Sequence, residues 1–166
     1  MRRLCLAGFQ APPDTIADIP ADVDITTADS GSAQRYPAPP KGVSIRRITH
    51  SPAGGTVRGT IDGDRIAFYA DAEDGTRQIF IVASQGSDRD LDASRRPVQA
   101  TRLPKGTSSG LRWHPQSQSI ISISDGGIVA TCVKPGPRFG QSTFLTPHGD
   151  GEDRADTVIS PDGTLI

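Results

Sequence analysis

From Ile45 onward the chain alternates short apolar runs with tight polar turns. "DRIAFYA" (64–70) passes through "DAEDG" into "TRQIFIVAS" (76–84), and "QSIISIS" (118–124) passes through "DGG" into "IVATCV" (128–133). Runs of Ile, Val and Phe bounded by Asp-Gly predict antiparallel hairpins, because a type I′ turn needs positive φ and Asp-Gly accommodates it. No stretch carries apolar residues at i, i+3, i+4 and i+7 over a useful length, so almost no helix is expected.

The pattern also repeats. "ITHSPAGGTVRGTIDGDRIAF", "ATRLPKGTSSGLRWHPQSQSII" and "LTPHGDGEDRADTVISPDGTLI" each open on an apolar residue and Thr (Thr49, Thr101, Thr146). Each continues through a polar loop, a short strand, a tight turn and a second strand. The turns are Asp62-Gly63, Pro115-Gln116-Ser117 and Pro161-Asp162-Gly163, and the aligned isoleucines are Ile66, Ile120 and Ile166. Their spacings of 54 and 46 residues lie near the roughly 40–50 residues of a four-stranded propeller blade. The first unit is expected to hold strands at about 56–61, 64–70 and 77–83, with a fourth ending at "VQATRL" (98–103). The second holds strands at about 109–113, 118–124, 127–133 and 142–146, and the third a strand at about 155–159 followed by the start of another. The expected fold is all-β, an incomplete propeller of about two and a half four-stranded antiparallel blades: 45–103, 104–146 and a truncated 147–166.

Residues 1–44 read differently. Pro, Ala, Asp, Ser and Thr dominate 10–44 without a sustained period, and "PAPP" (37–40) favours an extended strip. The segment is expected to be a poorly ordered linker or long surface loop, with "ADVDITT" (21–27) as a lone edge strand.

Composition narrows the function classes. A net charge of −1 and no long Lys/Arg run give no electrostatic footprint for nucleic acid. Arg2 and Arg3 precede an apolar stretch of only about six residues, Leu4 to Phe9, short of the roughly 7–15 of a signal-peptide core. No segment approaches the roughly 20 apolar residues of a membrane span. As written the chain reads as cytoplasmic, and periplasmic if a signal precedes Met1. Two distant cysteines, Cys5 and Cys132, do not make a disulfide framework, and Cys132 in "IVATCV" is expected to pack as a small hydrophobe.

The repeat resembles the TolB-like propeller motif, in which Ser-Pro-Asp-Gly precedes an apolar strand and Leu-Thr ends the blade. Ser160-Pro161-Asp162-Gly163 matches in full, as do Leu145-Thr146 and, with Ile for Leu, Ile48-Thr49. Trp113-His114-Pro115 resembles the Trp-Ser-Pro variant; Ser117 stands where the second turn would have glycine, and Ile61 where the first would have proline. From Pro37 to the end, roughly three-quarters of the chain, "PAPPKGVSIRRIT" and the repeats resemble the C-terminal part of a longer, uncharacterised bacterial family of TolB-like proteins. In the first unit, Thr56 to Thr60 lack the aromatic-rich strand expected of that family. The resemblance implies a fold and no particular activity.

Strands of a blade alternate in direction, so loops leaving strands b and d share one face. That puts His50, Asp71, Glu73, Lys105, Asp125, His148 and Asp150 on a common loop face, the candidate binding surface. No spacing there marks a metal site: His-x-x-x-His and cysteine clusters are absent, and "HGDGEDRAD" (148–156) lacks the ligand rhythm of a calcium loop. There is no Gly-x-Ser-x-Gly and no phosphate-binding glycine loop, and Trp113 is expected to be a packing residue. No catalytic residue, metal or cofactor is therefore expected.

The sequence favours a non-catalytic binding or scaffold propeller whose partner is a protein or small ligand. The alternative is the gating propeller of a larger hydrolase, of the prolyl-oligopeptidase type, with its catalytic domain outside this chain. A third expectation is an inactive remnant. With the last strand cut at Ile166, open blade edges would leave the chain marginal and prone to self-association.

Overall fold

A computed structural model of the protein describes residues 2–5, 15–19, 44–49, 53–60, 62–149, 151 and 154–166. These residues are all-β, apart from one 3-10 turn at Ala93–Arg95. Two four-stranded antiparallel meanders dominate. The first sheet is β4 (Ala53–Gly59), β5 (Arg65–Asp71), β6 (Arg77–Ala83) and β7 (Val98–Gln99), in that order. The second is β8 (Ser109–Trp113), β9 (Ser119–Ser124), β10 (Gly127–Cys132) and β11 (Ser142–Phe144). A three-stranded sheet joins β1 (Arg2–Cys5), β2 (Thr15–Ile19) and β3 (Ser44–Arg47).

The expected hairpins fall where the Asp-Gly turns put them. In the second sheet Asp125 and Gly126 have φ of 49° and 74°, both left-handed as a type I′ turn demands, and Ser124 pairs with Gly127 across them. Two expectations need correction. The 98–103 strand shrinks to Val98–Gln99, because side chains replace the ladder beyond it: Ile79 N–H donates to Thr101 Oγ1 at 2.8 Å, and the Gln78 amide bonds both the C=O and the N–H of Leu103. The 155–159 strand is not formed among the described residues; a side chain, Thr157 Oγ1 donating to Gly110 O at 2.8 Å, holds the segment to β8 in place of a ladder. β1 and β2 lie in the segment expected to be irregular, and both pair into a ladder with β3. The lone strand expected at 21–27 lies outside the described residues.

The repeat is visible in the register and in the turns. Arg58 pairs with Ala67 and Gly59 with Ile66; at aligned positions Arg112 pairs with Ile121 and Trp113 with Ile120. All three first-to-second-strand turns share one backbone pattern. Thr60, His114 and Ser160 donate N–H to the carbonyls of Arg65, Ser119 and Leu165, and accept from the N–H of Gly63, Ser117 and Gly163. These last three residues have φ of 74°, 56° and 76°, so Ser117 holds the left-handed conformation that glycine supplies in the other two. In the first and third turns the hydroxyl of Thr60 or Ser160 bonds the carboxylate two residues on, which accepts a further N–H from Asp64 or Thr164.

Packing joins the two large sheets. Ala67, Tyr69, Ile79 and Ile81 of the first cluster with Leu111 and Ile120 of the second and with Val133, and Trp113 packs against them. The other face of the first sheet gathers Val57, Ile66, Phe68 and Val82 with Ile48. β5 is thus buried on both faces. Arg65 spans the joint: its guanidinium donates to the carbonyls of Val133 (3.0 Å) and Ser117 and sits 4.9 Å from the centroid of the Trp113 ring. Trp113 in turn donates Nε1–H to Arg58 O at 2.9 Å, the packing role expected of it. Cys132, in contrast, is only half-buried, because β10 buries Gly127, Val129 and Thr131 and turns Cys132 to the other side.

Arg65→Ala should cost about 2–4 kcal/mol, since two buried-edge carbonyls lose a charged donor and the indole loses its cation. A urea midpoint with unchanged slope measures it, and Arg65→Lys should recover less than half, because a point charge cannot serve two carbonyls and a ring together. The Ser160 hydroxyl and the Thr164 N–H and hydroxyl hold the Asp162 carboxyl down from the usual 3.8 to about 2. As pH falls, the unfolded chain takes up this proton first, so the turn's contribution is intact above about pH 4 and lost towards pH 2. A carboxyl-carbon NMR titration should place Asp162 near that value, and Ser160→Ala should raise it.

Candidate functional site

The connections between second and third strands, and those that follow the fourth, lie against one another. Thr107 N–H donates to Arg77 O at 2.7 Å, bringing the loop that carries Lys105 to the end of the β5–β6 hairpin, where Asp71 pairs with Arg77. Ser124 Oγ donates to Gly106 O at 2.6 Å, and Gly149 N–H to Asp125 O at 2.8 Å. A continuous row results: hairpin 72–76, loop 104–108, turn Asp125-Gly126, loop 145–149.

Thr ends each unit for a reason. Thr101 Oγ1 accepts the N–H of Ile79 in β6, and Thr146 Oγ1 accepts that of Ile128 in β10 at 2.9 Å. The hydroxyl satisfies a third-strand amide as the chain leaves the sheet, and so sets where the following loop departs.

Of the sequence-predicted residues, Asp125 and His148 come together, with His148 Nδ1 3.7 Å from Asp125 Oδ2. The imidazole stacks on Phe144, ring centroids 3.7 Å apart. Gly127 makes this approach feasible, since a Cβ there would stand 2.7 Å from His148 Cβ and 2.9 Å from the Phe144 ring. Asp71, Glu73 and Lys105 are exposed on the same row, but no ion pair or hydrogen bond among the described residues ties their side chains to the Asp125–His148 pair. Asp71 instead lines a second cleft of about 270 Å³ with Phe68, Phe80 and Arg96. His50 and Asp150 lie outside the described residues.

Beside the pair opens a cleft of about 500 Å³, lined by Ser108, Ile123, Asp125, Gly126, Gly149 and Arg154. Arg154 donates to Gly126 O at 2.5 Å, which holds its guanidinium at the rim. In the sequence Arg154 stands among the acidic residues of 148–156, and its contact with the Asp125-Gly126 turn, 28 residues back, gives it a place at this site. Asp156, in the same loop, binds Arg112 Nη2 at 2.8 Å. Among the described residues no three His, Cys, Asp or Glu side chains gather as a metal site. One carboxylate, one guanidinium, an imidazole and exposed glycine backbone can bind a polar or peptide-like group by charge and hydrogen bonds.

The comparisons with known proteins reach one relative of unknown role. Over 148 residues the chain is 30% identical to the uncharacterised protein YidR of Escherichia coli (strain K12). The match takes in 82% of this chain and 33% of YidR, so the chain spans about a third of that relative's length. No protein-family model matches the chain, and no solved structure matches it. No helix among the described residues is long and apolar enough to cross a membrane.

His148→Ala should free the loop without unfolding the sheets. Amide exchange at Gly149 should rise about tenfold, the loss of an aromatic stack and a polar contact worth about 1–1.5 kcal/mol, while exchange in β9 and β10 stays as it was.

Proposed function

We propose that this chain is a binding segment of a TolB-like β-propeller, non-catalytic, engaging a partner protein through the loop face around Asp125, His148 and Arg154. The observation that carries this reading is the repeated unit: two adjacent four-stranded meanders with the same first-strand register, followed by a third copy of the same turn. Consecutive turns touch, through Arg65 to Ser117 O and through His114 Nε2 to Gly163 O at 3.2 Å, which is how successive blades would sit around an axis. The third unit supports it as well. Thr157 Oγ1 bonds Gly110 O at 2.8 Å, laying 156–158 against β8, whereas Ile166 is 48% exposed and its counterparts Ile66 and Ile120 are 3% and 0%. Those apolar positions fit the reading that a further blade covers them.

The test is site-specific photo-crosslinking in cells, with the crosslinker at 105 or 148 on the loop face and at 116 on the turn face as the reference. The reading expects one partner protein captured from both loop-face positions and not from 116. Equal capture from 116, or hydrolysis of ester or peptide substrates by the purified protein, would overturn it.

A further inference from the structure

We propose that Arg58, on the first strand of the first sheet, is a seat for a carboxylate that a ligand supplies, at a place separate from the loop face and independent of it. Arg58 and Arg112 occupy the same register, opposite Ala67 and Ile121. Each folds Nη1 back onto the carbonyl of the residue before it, Val57 at 3.1 Å and Leu111 at 2.9 Å. This shared bond fixes both guanidinium groups along their strands with donors left to offer. Arg112 spends its Nη2 on the Asp156 carboxylate at 2.8 Å, contributed by the next unit. The position aligned with Asp156 one unit earlier is Gly110, so the corresponding carboxylate is missing beside Arg58. Among the described residues Arg58 makes no ion pair, although it is partly buried.

The next unit is constrained from filling this seat at the aligned position. Gly110 has φ of +71°, and a Cβ there would lie 3.1 Å from Ile123 and 3.2 Å from Thr157, so an aspartate would be strained and crowded together. Arg112 with Asp156 therefore shows what the repeated arginine binds, and Arg58 is the copy left open among the described residues. The chemistry is that of a carboxylate facing an oriented arginine, carried either by an acidic side chain of a peptide or by a free dicarboxylate.

The test is an NMR titration of the arginine Nε–Hε signals of the whole chain with triaspartate and, separately, with succinate, against sodium chloride at matched ionic strength. The Arg58 signal should shift saturably in the millimolar range while that of Arg112 stays put. Asp156→Ala should release Arg112, so that both signals then shift. Saturation with triaspartate alone assigns the seat to a peptide-borne carboxylate, and saturation with both assigns it to free dicarboxylates also. An Arg58 signal that does not saturate, or that follows sodium chloride equally, overturns the proposal, as does an Asp156→Ala variant in which Arg112 remains silent.

Discussion

The structure depends on the burial of β5 on both of its faces. Ile66 and Phe68 point into one apolar cluster and Ala67 and Tyr69 into another, all at 4% exposure or less. A sheet whose central strand is apolar on both sides cannot stand alone in water; it must be sandwiched. Ile48 supplies cover on one side, and Leu111, Ile120 and Val133 supply it on the other. β9 repeats the arrangement, with five consecutive buried residues, Ile120 to Ser124. Neighbouring sheets therefore stabilise one another in series, and polar contacts such as those of Arg65 fix the angle at which they meet. The outer strands β7 and β11, of two and three residues, expose few unpaired backbone groups.

Within that series the tight turn is the element that tolerates change in side chain but not in backbone. Thr60 and Ser160 close it with a hydroxyl and an aspartate, whereas His114 closes it with Nδ1 accepting from Gln116 N–H at 3.2 Å. The histidine then uses its other ring nitrogen to reach Gly163 O. A Cβ on Gly163 would stand 2.4 Å from that nitrogen, so the glycine is required both by its left-handed φ and by the ring lying over it. One substitution, a hydroxyl residue to histidine, thus converts a self-contained turn into a link between units.

This contrast explains what the sequence made legible. Features set by local chemistry could be read directly: the Asp-Gly hairpins, the three aligned turns, and the Thr at each unit's end. Features set by a single long side chain reaching across sheets could not. Arg65 aligns with Ser119 and Leu165, so the repeat offered no hint that it bridges to Val133 and Ser117. Arg154 was hidden in the same way, inside a loop whose acidic composition described its neighbours better than itself. β2 was masked by Pro13 and Pro20 on either side of it, although β1 and β2 are both short proline-free runs that a partner strand can pair.

The same reasoning separates the two places where a ligand could bind. The loop face is built from connections that differ in length and content between units: a five-residue hairpin loop at 72–76 against the two-residue turn at Asp125-Gly126. Such variation can select a partner without disturbing the sheets. The first strands are the reverse case, with the arginine and its pairing to the second strand kept from β4 to β8 while one opposing residue changes from aspartate to glycine. Where a repeat holds its scaffold constant and removes one counter-charge, the remaining guanidinium keeps its orientation through the backbone bond to Val57 and loses its partner. An oriented, partly desolvated cation has less to lose on meeting a carboxylate than a free one, which is the physical basis for looking to Arg58 rather than to the exposed lysine and arginine side chains elsewhere.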